Sequence, residues 1–62
     1  MIIYVLQFKD NKDYYFNTES GYYEKGIIRA TLFEDLNSAI DASIKHNVIS
    51  NSIVLALKVE EA

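Results

Sequence analysis

No cysteine occurs anywhere in the chain, which removes disulfides and every thiolate metal site. A single histidine, His46, cannot build a structural zinc centre alone. The two glycines, Gly21 and Gly26, fall far from the spacing of a Gly-rich phosphate loop. The apolar run Met1-Ile2-Ile3-Tyr4-Val5-Leu6 has no basic segment ahead of it and is far too short to span a bilayer. Neither a secretion signal nor a membrane partner is expected, and the missing cysteine suits a reducing, cytoplasmic setting. Positive charge is also scarce. Six Lys and Arg face nine Asp and Glu, for a formal charge of −3 and a pI near 4.8. Binding to nucleic acid rests on a basic face that neutralises phosphates, so no nucleic-acid partner is expected.

What remains is a chain of 62 residues, half of them apolar. That length makes one domain, residues 1–62, with no room for a second. A domain of this size buries only about 60% of the surface its unfolded chain exposes, and such domains lean on staples or partners. With disulfides and zinc excluded, the remaining aids are a tightly packed core or a second copy.

Ile2 to Phe8 is rich in β-branched and aromatic residues and predicts a strand. Tyr4, Leu6 and Phe8 share one face of it; Ile3, Val5 and Gln7 share the other. The polar stretch from Lys9 to Asp13 predicts a turn, and Tyr14-Tyr15-Phe16 returns as the second arm of a hairpin. Asn17 to Gly26 reads as a loop or a short edge strand between two turns, and Ile27 to Leu32 as a third short strand.

The helix is better marked. Asp35 is the expected N-cap, and Leu36, Ala39, Ile40, Ser43, Ile44 and Asn47 form an amphipathic stripe. Lys45 and His46 suit the negative end of the helix dipole, Asn47 the left-handed C-cap, and Val48 can pack back on the helix. Ser50-Asn51-Ser52 then turns into a strand from Ile53 to Val59, and Glu60-Glu61-Ala62 reads as a frayed tail. The fold class is α+β, ββ(β)αβ, with an antiparallel sheet of three to four strands and one helix packed on one face. The first and last strands, being the most apolar, are expected at the sheet centre.

At Ala30-x-x-Phe33, with Ala39 following early in the helix, the chain resembles short ββαβ accessory proteins encoded by phages and prophages of AT-rich, Gram-positive-type genomes. Such proteins run from an apolar strand through a Tyr-rich hairpin to an Ala-x-x-Phe step, a helix and a last apolar strand. The resemblance implies a small accessory protein, often of unknown role, some of whose kind bind and inhibit host enzymes or defence factors. It supplies no functional residues, and the reading it favours here is a factor that binds and inhibits a host protein.

No catalytic arrangement emerges from the residues. The serines lack a nucleophile elbow, and His46 at a helix end reads as a favourable end charge. The nine carboxylates show neither calcium-loop nor metal-site spacing, and Glu34-Asp35 is explained by the helix start. No enzyme activity, cofactor or metal is expected. The candidate binding residues are Tyr14, Tyr15, Tyr22 and Tyr23, with Arg29 as a cation beside them. Tyrosine joins a large rigid ring to a polar tip and is favoured at interfaces. The same rings also suit core filling at a sheet edge, or stacking on a nucleotide-type ligand in an oligomer.

One helix cannot cover two apolar sheet faces. Either Ile3, Val5, Val54 and Ala56 are left over, or Tyr4, Leu6, Ile53 and Leu55. Burial in a homo-oligomer, a dimer first, or against a host protein resolves this; the competing solution is that residues 22–28 fold over the face.

Overall fold

The structure is a computed structural model that describes residues 1–60; Glu61 and Ala62, and the frayed end expected there, lie outside the described residues. The first strand, β1 (Ile2–Phe8), is followed by β2 (Tyr14–Asn17) and β3 (Tyr22–Lys25). A single helix, α1 (Leu36–Lys45), and a last strand, β4 (Ser52–Lys58), complete the chain. The sheet is antiparallel throughout, in the order β3-β2-β1-β4, and the helix packs on one face. This is the expected small α+β fold, and the stretch left between loop and strand resolves as the edge strand β3.

Each connection has a local cause. Asn11 shapes the β1–β2 turn, its side chain accepting from the Asp13 amide and its carbonyl from the Tyr14 amide. Asn17 opens the β2–β3 turn, its Oδ1 accepting from the amides of Glu19 and Ser20. Asp35 is the N-cap and accepts from the Ser38 amide at 2.7 Å. The helix closes with a left-handed Asn47 at φ 57°, the Asn47 amide donating to Ile44 and the Val48 amide to Ser43. That pairing is a Schellman motif, and Val48 packs back against the core as it requires.

Three expectations are corrected. Ile27–Leu32 is not a strand. Gly26 takes φ 93°, a conformation that side chains disfavour, and turns the chain into a short 3-10 turn over Ile27–Arg29. Among the described residues the isolated bridge to the sheet is made by Phe33, which exchanges backbone hydrogen bonds with Tyr4 at 2.8 and 2.9 Å. β2 pairs with β1 at Gln7, so the Phe33 bridge takes the stretch of β1 that β2 leaves open.

The last strand is not central. β4 runs along β1 from Ser52 to Lys58 but is the edge of the sheet, while β2 is interior. Its apolar residues are split between the two faces, Val54 and Ala56 on the helix side and Ile53, Leu55 and Leu57 on the other, so apolar composition did not mark neighbours on both edges.

The helix is also rotated from its apolar stripe. Ala39 and Ser43 are buried and Ala42 and His46 half-buried, whereas Leu36, Ile44 and Asn47 are exposed. The sheet beneath presents Tyr4, Leu6, Phe16 and Tyr23, and the His46 ring tilts against Phe16 at 5.1 Å. Bulky rings below leave space only for small residues above, at the close packing of protein interiors.

Leu6, Phe16 and Ala39 are the buried centre of this layer, with Phe33 partly buried at its border. Phe16→Ala should therefore cost about 3–5 kcal/mol, enough to unfold a domain this small, and Phe33→Ala distinctly less. Chemical denaturation measures both, and equal losses would place Phe33 in the centre. The amide and side chain of Ser38 hold the Asp35 carboxyl below its ordinary value of 3.8. A lowered folded pKa stabilises fully above the ordinary value and is lost as pH falls through the folded one. Asp35→Ala should thus lower the melting temperature at pH 7, and the gap to wild type should close below pH 3.8.

Candidate functional site

The strand register decides which side chains share a face. Leu6 lies opposite Val54 and Tyr4 opposite Ala56, so Val54 and Ala56 belong to the helix side with Tyr4, Leu6 and Phe8. Ile3 lies opposite Leu57, Val5 opposite Leu55 and Gln7 opposite Ile53, which makes these six the outer face. Neither leftover set expected from the sequence is correct, because each mixed residues of the two faces. Strand alternation identifies a face within one strand, whereas matching faces between strands takes the register.

Much of the outer face is nevertheless covered. The 3-10 turn crosses the outer side of β2, where Asn17 Nδ2 donates to the Arg29 carbonyl at 2.7 Å. The Thr18 amide donates to Thr31 Oγ1 at 2.9 Å, and the Thr31 amide donates to the Phe16 carbonyl. Val5 is fully buried, and Gln7 is nearly so, donating to the Lys12 carbonyl at 3.0 Å and the Tyr15 hydroxyl at 3.4 Å. A fold-over thus exists on the β2 side, but it is held through Arg29 and Thr31 and not made by residues 22–28 as expected, since Tyr22–Lys25 is a strand of the sheet itself. Toward β4 the face stays partly open, with Ile53 exposed and Leu55 and Leu57 half-buried.

The tyrosines are not brought together. Tyr15 pairs with Glu24, and Phe16 with Tyr23, so Tyr15 and Tyr22 face outward while Tyr14 and Tyr23 lie on the helix side. Tyr23 is part of the core. Its ring packs on Phe8 at 4.4 Å and edge-on to Phe16 at 5.4 Å, and its hydroxyl meets Ser52 Oγ and the Val48 carbonyl. Of the readings weighed for these rings, core filling is the one that describes where Tyr23 sits. Tyr22 stays 73% exposed. Arg29 is exposed at the end of the 3-10 turn, its carbonyl held by Asn17.

The turn itself is the feature that sequence reasoning missed. Its backbone is fixed by the Arg29 amide donating to Gly26 and the Ala30 amide donating to Ile27. Asn17 holds it from β2 while its side-chain oxygen builds the neighbouring β2–β3 turn. On this braced knuckle Ile28 is 92% exposed, with Ile27 and Leu32 also exposed. The signal available was Gly26 followed by two β-branched residues, which reads equally as a strand.

Asp13, Tyr15, Lys25, Gly26 and Ile27 border an open depression of about 430 Å3 beside the knuckle. Its one cation, Lys25, is offset by Asp13, which is poor chemistry for holding a phosphate. Among the described residues no three His, Asp or Glu side chains are grouped as metal ligands, and no helix is long and apolar enough to cross a membrane. No protein-family model matches the chain, and neither does any curated protein or solved structure.

Proposed function

We propose that this chain is a small non-enzymatic interaction protein, a phage-type accessory factor that binds a host protein in the cytoplasm and inhibits it. The observation that carries the reading is Ile28, an aliphatic side chain 92% exposed on a hydrogen-bonded turn. Exposed aliphatics on a floppy loop cost little to hide. Here the turn is braced by Asn17, so the apolar tip is presented in one conformation and little entropy is lost on docking. Tyr22 lies on the same side of the sheet at 73% exposure, and Arg29 flanks the tip. An aliphatic anchor with Tyr and Arg beside it has the composition of a protein-binding hot spot.

Ile28→Asp and Tyr22→Ser test this. Both side chains are solvent-facing, so the melting curve should stay within about 0.5 kcal/mol of wild type. A host protein recovered in one-to-one amount with the wild-type chain should bind Ile28→Asp roughly thirtyfold more weakly, the size of a 2 kcal/mol hot spot. Equal recovery by wild type and Ile28→Asp contradicts the assigned surface. Co-purification of a small molecule in place of any protein contradicts the function.

A further inference from the structure

The parity of the β1–β4 ladder reveals a second surface. The Val59 amide donates to the Met1 carbonyl at 2.8 Å, and the Lys9 amide donates to the Asn51 carbonyl at 2.9 Å. Antiparallel ladders repeat every two residues, so Ile53, Leu55 and Leu57 also direct their backbone groups at β1. Ser52, Val54, Ala56 and Lys58 then direct theirs away, along an edge that has no neighbouring strand among the described residues. Their backbone groups take part in none of the turn, cap or bridge hydrogen bonds among the described residues.

Edge strands are ordinarily blunted by shortness, charge, proline or a bulge. The opposite edge follows that rule, since β3 has four residues and two of them are Glu24 and Lys25. β4 does not. It has seven residues in unbroken register with β1, and its single charge, Lys58, sits at the end.

We infer that β4 pairs with β4 of a second copy, antiparallel about a two-fold axis at Leu55. The sequence of the strand is self-complementary in that register. Val54 meets the partner's Ala56 and Ser52 meets the partner's Lys58, each pair exchanging two hydrogen bonds, so all four outward residues of both strands are satisfied. A shift of two residues loses one of these pairs. A shift of one sets outward backbone groups against residues that face β1. The same register keeps the two Lys58 ammonium groups at opposite ends. On the outer face it sets Ile53 against the partner's Leu57 and Leu55 against the partner's Leu55, which closes the exposed aliphatic band beside the edge. The occupant that supplies this match is a second copy of this chain. The pairing is separate from the Ile28 knuckle, so either proposal can fail while the other stands.

Light scattering across concentration should show the mass rise from 7.1 kDa to twice that value. Ala56→Pro removes one outward N–H, leaves the β1 ladder intact, and should give a folded monomer at concentrations where wild type is dimeric. Cysteine scanning reads the register directly, because the chain has no background thiol. Leu55→Cys brings two thiols together at a non-hydrogen-bonded pair with Cα atoms about 4.5 Å apart, within disulfide reach, and should cross-link under mild oxidation. Leu57→Cys should not, since its copies sit four residues apart along the strands. A wild-type monomer at every concentration overturns the inference, as does Leu57→Cys cross-linking as fast as Leu55→Cys. If Ala56→Pro fails to fold, the two cysteine variants decide.

Discussion

The packing of Phe16 and Leu6 beneath Ala39 is the contact on which the rest of the structure depends. A single ten-residue helix can cover one face of a four-stranded sheet and no more. It does so with small residues, because the sheet supplies the bulk. Phe16 meets Tyr23 edge-on and Tyr23 lies tilted on Phe8, and the helix turns Ala39, Ala42, Ser43 and His46 toward the sheet. Large is placed against small, the arrangement by which close-packed interiors fill their volume, and no disulfide can contribute because the chain has no cysteine.

Every other feature is a response to what that layer leaves uncovered. The outer face of β1 and β2 is closed by the chain itself, as residues 26–31 cross over it and tie to Asn17, Thr18 and Phe16. This crossing forces the sharp turn at Gly26 and pushes Ile28 into solvent. The knuckle that we propose as a docking tip is thus a by-product of covering a sheet with too little chain. The same shortage leaves β4 with no strand beyond it among the described residues, and there the proposed solution is a second copy. Both surfaces follow from one limit, the small core of a short chain.

How much of this the residues announced depends on how local each cause is. The Asp35 cap, the Asn47 C-cap and the β1–β2 hairpin are set by neighbours a few residues away, and each was legible. The Ile27–Leu32 segment was not. Its β-branched residues favour a strand, but the long-range bond from Asn17 to Arg29 and the φ of Gly26 override that preference. Strand order misled for a similar reason, since β4 is as apolar as an interior strand though only one of its edges is paired. For the site, residue type pointed to the tyrosines, yet alternation alone separates Tyr22, which is exposed, from Tyr23, which is core. Composition pointed to these rings and could not say which of them faced water.

The claim that β4 is a regular but open edge is tested most directly by residue-resolved amide hydrogen exchange of the folded chain at two concentrations. The amides of Ile53, Leu55 and Leu57, bonded to β1, should be protected at both. Those of Val54 and Ala56 should exchange rapidly in dilute solution and slow markedly as concentration rises and the edge is paired. Equal protection of Val54 and Leu55 in dilute solution would mean that the edge is covered within one chain, and would contradict the open edge and the pairing together.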